Sequence, residues 1–195
     1  MVLNLNMMKT LFKEGVIMNT KTKSLCITAI GIALFVVLSL CLQIPLFENY
    51  YLCLGYSIIA IYCYSFGINK GIAVGFFGVL LYCIIINGLR GMPGWAIGNI
   101  YICFVLGFTC KISKWVDKIW ARYLAITFAI IISVAIGILG IKSIIECMLY
   151  SQPFWIRTLN NIYAFIADCI VLILSIPLCE KLHPILEKKF PELCQ

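Results

Sequence analysis

Residues 24–44 read SLCITAIGIALFVVLSLCLQI, a run of 21 residues without a charged side chain. A helix rises about 1.5 Å per residue and the hydrocarbon core of a bilayer is about 30 Å thick, so a spanning helix needs roughly 17–25 mostly apolar residues. This stretch therefore predicts a transmembrane helix. Pro45, which has no backbone N–H for the helical hydrogen-bond ladder, closes the run.

Five further apolar runs follow the first one along the chain. They are Tyr51–Phe66, Gly71–Ile86, Trp95–Cys110, Tyr123–Ile141 and Ile162–Leu178. Of the 195 residues, 63% are hydrophobic and 12% are charged, whereas about a quarter are charged in an ordinary soluble domain. The sequence thus predicts an all-α integral membrane protein, a compact bundle of six transmembrane helices. Residues 24–179 would form the membrane domain, between an N-terminal segment 1–23 and a C-terminal tail 180–195. Residues 1–17 are read as an extension or an overlong start before Met18.

Lysines and arginines divide unequally between the two sides of this bundle. With the N-terminus inside the cell, 12 of the 15 fall in cytoplasmic segments, and Arg90, Lys142 and Arg157 fall outside. Because cationic segments remain in the cytoplasm during insertion, both termini are predicted to be cytoplasmic. The net charge of +7 then faces the anionic headgroups of the lipid bilayer and implies no nucleic-acid partner.

The sequence contains none of the local motifs of common enzymes. There is no phosphate-binding loop, zinc-binding helix or nucleophile elbow, and the one histidine, His183, follows the last apolar run. The 11 cysteines fall singly, mostly inside apolar runs, where a thiol behaves as a small hydrophobe. The sequence therefore predicts no catalytic residue, cofactor or metal site.

Asp168 is the one ionisable residue that lies well inside a predicted span. A charge at the centre of a span costs about 2.5–3.5 kcal/mol on insertion scales, so its side chain must face protein or water. It either lines a ligand pocket or ties two helices together. Asn161, seven residues earlier, lies on the same helix face. Arg157 falls in the preceding outer loop, where it either meets an anionic ligand group or reaches the lipid headgroups.

A second group of candidate residues follows the third outer connection, Asn87–Gly94. Its glycines and proline permit a tight, shaped loop. Trp95 is either an interfacial aromatic residue or part of a ligand wall, and Asn99 lies one turn deeper on the same side. Together they would form a ligand wall, with an aromatic plane for stacking and an amide that accepts or donates a hydrogen bond.

Small residues form two further patterns. Ala29 and Ala33 share one face of the first helix, and the pair Phe66-Gly67 precedes three glycines, Gly71, Gly75 and Gly78. In lipid, small residues allow helices to approach closely, within one chain or between chains. Together with the six-span layout and the Trp95–Asn99 passage, these residues resemble the substrate-binding S components of energy-coupling factor (ECF) vitamin transporters. The resemblance covers roughly Lys21–Leu182.

The resemblance implies a non-enzymatic substrate-capture subunit of an ECF-type ABC importer in the plasma membrane of a bacterium. Its partners would be a transmembrane coupling subunit, contacted through Ala29 and Ala33, and two ABC ATPases. An extracellular pocket for a vitamin or vitamin-like micronutrient would be lined by Trp95, Asn99, Asn161 and Asp168. The loop Gln43–Tyr51 would cover it. No residue pattern identifies the micronutrient.

Two other functions are compatible with the sequence. The alanine and glycine faces would also suit a non-catalytic membrane scaffold or assembly protein, in which Asp168 would be structural. An intramembrane enzyme using Asp168 is the weakest hypothesis, because the sequence places no second acid, base or metal ligand at a matching depth.

Overall fold

The computed structural model describes residues 20–47, 50–87, 92–113 and 115–194, and the described chain is almost entirely helical. The first helix is α1 (Thr20–Cys41), and a hairpin of β1 (Gln43–Phe47) and β2 (Tyr50–Cys53) follows it. The remaining helices are α2 (Tyr56–Ser65), α3 (Ile68–Asn87), α4 (Met92–Ser113), α5 (Ile119–Tyr150) and α6 (Phe154–Lys189).

Five of these helices, α1 and α3 to α6, are long and apolar enough to cross a membrane. The prediction of a multi-pass helical bundle is therefore confirmed for five of its six spans. The exception is the second run, Tyr51–Phe66, of which only the ten residues Tyr56–Ser65 are helical. Ten residues reach about 15 Å, half of a bilayer core.

Burial explains why α2 can be this short. Nine of its ten residues are buried, and it packs against α1, α3, α4 and α6. An enclosed helix does not have to match the thickness of the lipid. The predicted loop Gln43–Tyr51 overlaps a hairpin that precedes α2: β1 and β2 are antiparallel, with Gln43 opposite Cys53 and Pro45 opposite Tyr51.

The last two helices are longer than the apolar runs that predicted them. Helix α5 continues past Ile141 to Tyr150 through a π-helical segment, Ala135–Lys142, which adds residues to each turn. Ser151 has φ 51° and ends α5, and α6 begins three residues later at Phe154. Helix α6 then runs through Pro177 and Pro184 to Lys189.

The two ends of the bundle carry different parts of the chain. At one, called the terminal end, Lys23 near the start of α1 pairs with Glu192 at 3.7 Å, and Lys70 donates to the carbonyl of Leu193 at 2.8 Å. The opposite end, called the hairpin end, holds β1, β2 and the turn between α5 and α6. Helix α3 ends there at Asn87 and α4 begins there at Met92, and residues 88–91 of the predicted connection Asn87–Gly94 lie outside the described residues.

Glycines fix the close contacts between helices in the centre of the bundle. A side chain on Gly31 would meet the ring of Tyr62, and one on Gly78 would meet Phe35. Gly71 and Gly75 face two buried cysteines, Cys63 and Cys103, in the same way. The glycine pattern thus serves packing within the chain.

Candidate functional site

Tyr56 links the two predicted residues of α4. The indole Nε1 of Trp95 donates to the Tyr56 hydroxyl at 2.8 Å, and that hydroxyl donates to Asn99 Oδ1 at 2.9 Å. Asn99 Nδ2 in turn donates to the carbonyl of Gly75 at 3.4 Å. Tyr56 and Asn99 are fully buried, whereas Trp95 is partly exposed. Trp95 and Asn99 are therefore brought together, by a residue that the sequence did not single out.

Asp168 faces the same hydroxyl from α6. Its carboxyl group lies near the Tyr56 side chain and within electrostatic range of Lys142. Only 5% of Asp168 is exposed. The expectation that this side chain turns inward is confirmed, because a carboxylate at this depth needs protein partners.

Asn161 lies on the same inward face of α6 and joins a second set of contacts from α5. Its Nδ2 donates to Ser143 Oγ at 2.9 Å and to Glu146 Oε2 at 3.2 Å. Glu146 pairs with Lys142 at 3.9 Å, one turn earlier, and the Lys142 ammonium lies 6.0 Å from the centre of the Trp95 ring. Lys142 therefore connects the α5 contacts with Trp95 and with Asp168.

These contacts define the polar cluster of the hairpin end. It consists of Tyr56, Trp95, Asn99, Lys142, Glu146, Asn161 and Asp168.

The positions of Lys142 and Glu146 differ from the prediction made from the sequence. The sequence predicts Lys142 in an outer segment and Asp168 as the one ionisable residue well inside a span, and it assigns no role to Glu146. In the structure the side chains of Lys142 and Glu146 are only 15% and 8% exposed. The π-helical segment changes the register of α5 and turns both residues toward α6. The i, i+4 spacing of opposite charges was the signal available in the sequence.

Arg157 occupies a different position from the one predicted. It lies within the first turn of α6 and not in a loop, and its guanidinium carbon is 5.0 Å from the centre of the Tyr150 ring. Within the described residues, no hydrogen bond or ion pair joins Arg157 to the polar cluster. The structure thus groups four of the five predicted pocket residues and places Arg157 at their margin.

The polar cluster offers varied chemistry for binding. Trp95 and Tyr56 supply aromatic surface, with Tyr82 in an edge-on contact to Trp95 at 5.7 Å between ring centres. The amides of Asn99 and Asn161 can both donate and accept, and Lys142 and the two carboxyl groups add charged partners. Such a mixture of aromatic planes and convergent polar groups suits a flat, polar small molecule.

A comparison with protein families identifies the family of the chain. The family model described as ECF-type riboflavin transporter, S component, matches residues 19–184. The chain belongs to this family. As an ECF S component it is a non-enzymatic, substrate-binding membrane subunit. Comparisons with curated proteins and with solved structures gave no match.

The first helix of this S component presents the predicted alanines to the outside of the bundle. Ala29 and Ala33 are both exposed, as are their neighbours Ile30 and Leu34, while Ile27, Gly31 and Phe35 on the opposite face are buried. The two small-residue patterns of the sequence thus have different positions, the glycines inside the bundle and the alanines on its surface.

Proposed function

We propose that this S component captures riboflavin, or a close flavin relative, at the polar cluster for ATP-driven uptake. The observation that carries the proposal is the seven-residue cluster, with two large aromatic side chains and five polar ones, in an otherwise apolar bundle of this family. Riboflavin has a flat three-ring system with an amide-like polar edge and a flexible chain of hydroxyl groups. Both parts have suitable partners in the cluster.

The amide edge of the flavin matches Asn99 and the aromatic plane matches Trp95. An asparagine side chain can donate to a flavin carbonyl and accept from the neighbouring imide N–H. Trp95 is the partly exposed aromatic residue of the cluster, so its ring is the one that an incoming flavin reaches first. The hydroxyl chain would then bond to Asn161, Asp168 and the α5 residues.

Binding exchanges hydrogen bonds and does not simply add them. In the structure the Tyr56 hydroxyl already bonds Trp95 and Asn99, and Glu146 accepts from Asn161. A flavin therefore replaces some of these bonds with its own. We propose that the β1–β2 hairpin moves to admit it, which gives this segment the role of a cover.

The proposed orientation rests on the distribution of cationic residues, and the proposed docking of partners rests on the exposed face of α1. The hairpin end would face the exterior and both termini the cytoplasm, because the cationic residues concentrate at the terminal end. The transmembrane coupling subunit, with two ABC ATPases bound to it, would dock on the exposed face of α1 at Ala29 and Ala33. Small residues there allow a partner helix to approach closely in lipid.

A titration of the detergent-purified full-length protein tests the ligand. Riboflavin fluorescence should be quenched on binding, and mass spectrometry of the untreated preparation should detect co-purifying flavin. Asp168→Asn should weaken riboflavin binding by about tenfold or more, because it removes a charged hydrogen-bond partner worth roughly 1.5–3 kcal/mol. Asp117→Asn, on an exposed carboxylate between α4 and α5, is the matched control and should bind as the wild type does.

The scaffold hypothesis is kept because the alanine face of α1 is exposed whether or not a ligand binds. The two functions differ in the behaviour of Asp168→Asn. If the protein is a scaffold, Asp168→Asn should impair assembly or stability, with no ligand binding to be affected. If the protein is a capture subunit, Asp168→Asn should fold and associate with its partners but bind riboflavin more weakly. A wild-type protein that neither binds nor co-purifies with a flavin would remove the capture proposal.

A further inference from the structure

The connection between α4 and α5, at the terminal end of the bundle, exposes two large aromatic side chains. Trp115 is 87% exposed and Trp120 is 83% exposed. Trp115 follows the end of α4 at Ser113, and Trp120 lies in the first turn of α5. Indoles of this exposure contribute little to packing within the chain, and exposed aromatic surface of this kind marks a contact with something outside it.

Hydrogen bonds within the chain fix the shape of this connection. Arg122 of α5 donates from Nη2 to the carbonyl of Val116 at 3.2 Å and pairs with Glu180 of α6 at 3.9 Å. The backbone N–H of Trp115 donates to the carbonyl of Ile112 at 3.0 Å. The connection is thus tied to α4, α5 and α6 while both indoles remain exposed.

The two tryptophans stand at the end of two apolar stripes. Helices α4 and α5 each carry exposed apolar residues four positions apart, which share one face of the helix. These residues are Phe104, Phe108 and Ile112 on α4 and Leu124, Phe128 and Ile132 on α5. Such stripes suit the acyl chains of lipid. Tryptophan is enriched where the acyl chains meet the headgroups, because its ring is apolar and its N–H is polar.

Cationic residues flank the two tryptophans. Residues 111–122 include four cationic residues and one acidic residue, Asp117. Lys111 and Lys118 are exposed, and within the described residues no ion pair joins either of them to a carboxylate. Both ammonium groups are therefore available to phosphate groups beside the indoles.

We infer that residues 111–122, called the lipid anchor, bind the headgroups of anionic phospholipids in preference to zwitterionic ones. Lysine and arginine near an anionic membrane surface are attracted to it, whereas a zwitterionic headgroup has no net charge. In the proposed orientation the lipid anchor faces the cytoplasmic leaflet, which carries a negative surface potential. The inference goes beyond the capture of a flavin and does not depend on it.

A protein partner is the alternative occupant of this surface. The proposed docking face for the coupling subunit, Ala29 and Ala33, lies on α1, which packs against α2 and α3. The lipid anchor belongs to α4 and α5. The apolar stripes that lead into the anchor favour lipid, because one phospholipid can contact a stripe with its acyl chains and the anchor with its headgroup.

Native mass spectrometry of the detergent-purified full-length protein tests the preference. The protein is mixed with equal amounts of phosphatidylglycerol and phosphatidylcholine that have the same acyl chains. The wild type should retain phosphatidylglycerol over phosphatidylcholine by about fivefold or more, the factor expected for one cation near an anionic surface. Equal retention of the two lipids would overturn the inference, whether or not the protein binds riboflavin.

The double variant Lys111→Gln/Lys118→Gln tests the assignment of the preference to the lipid anchor. It should retain the two lipids in nearly equal amounts. Lys188→Gln/Lys189→Gln is the matched control, because it removes two exposed cations from the end of α6, at the same end of the bundle. The control should keep the wild-type ratio. Equal losses in the two double variants would refute a local site, since they would show a diffuse attraction to every cation at the terminal end.

The double variant Trp115→Phe/Trp120→Phe separates lipid from a protein partner. In vesicles of phosphatidylglycerol brominated near the headgroup, it should show clearly less quenched tryptophan fluorescence than the wild type, with the remainder from Trp155, which is 75% exposed at the hairpin end. It should still co-purify with the coupling subunit and ATPases. If the quenched fluorescence is unchanged, or if co-purification is lost, the inference is wrong.

Discussion

The Tyr56→Phe variant removes a single oxygen atom from the centre of the polar cluster. The Tyr56 hydroxyl accepts from Trp95 Nε1 at 2.8 Å and donates to Asn99 Oδ1 at 2.9 Å, and it faces the Asp168 carboxyl group. Phenylalanine keeps the ring and its packing. The substitution therefore isolates the two hydrogen bonds that hold α2 and α4 together at the hairpin end.

The expected loss of stability follows from these two bonds. Hydrogen bonds in membrane proteins contribute about 0.6 kcal/mol on average and about 1.7 kcal/mol at most, so two of them give about 1–3 kcal/mol. The upper part of this range is the better expectation, because Asn99 is fully buried and water cannot replace the lost donor. Riboflavin binding should weaken as well, since Trp95 and Asn99 lose the residue that positions them.

Unfolding by SDS in mixed micelles, followed by circular dichroism, measures the first effect, and riboflavin titration measures the second. Tyr62→Phe is the matched control: its hydroxyl is also buried but donates one hydrogen bond, to the Ile27 carbonyl at 2.7 Å, away from the cluster. It should lose about half as much stability and keep riboflavin binding. Wild-type stability together with wild-type binding in Tyr56→Phe would refute the role given to this hydroxyl.

Three further predictions concern packing, docking and orientation. A Cβ atom on residue 31 would lie 2.5 Å from Tyr62 Cζ. Gly31→Ala should therefore lower the free energy of unfolding by about 1–3 kcal/mol, because overpacking forces the neighbouring side chains to move. Gly140→Ala, which meets nothing within 4 Å, should cost little in the same SDS titration, and equal losses in the two variants would contradict the packing argument. Ala33→Trp should abolish co-purification with the coupling subunit and ATPases while riboflavin still binds, whereas Ala125→Trp, on an exposed position of α5, should co-purify normally; full co-purification of Ala33→Trp would count against docking on α1. A green fluorescent protein fused to the C-terminus should fluoresce in bacterial cells, and an alkaline phosphatase fusion should be inactive, with the opposite pair of results reversing the proposed orientation.

Hydropathy and helical periodicity predicted most of the helices and several residues of the polar cluster. The long apolar runs found five membrane-spanning helices, and the cost of a charge in lipid predicted that Asp168 turns inward with Asn161 on the same face. Trp95 and Asn99 were grouped by their spacing of one turn. These inferences succeed because each depends on a single helix, whose length and faces are set by residues a few positions apart.

The remaining features depend on contacts between segments that are distant in the sequence. In the sequence, Tyr56 is one more residue of an apolar run. Only the packing of α2 against α4 and α6 places its hydroxyl near Trp95, Asn99 and Asp168. The short length of α2 has the same origin, since the surrounding helices bury it.

The sequence by itself determined a helical membrane protein with a carboxylate turned into the bundle and a small-residue face on its first helix. Only the tertiary structure decided that Lys142 and Glu146 join that carboxylate and that Arg157 stands apart. The physical reason is the register of α5: Ala135–Lys142 is π-helical, and the wider turns rotate the residues that follow toward α6. A periodicity of 3.6 residues, applied to the sequence, cannot show that rotation.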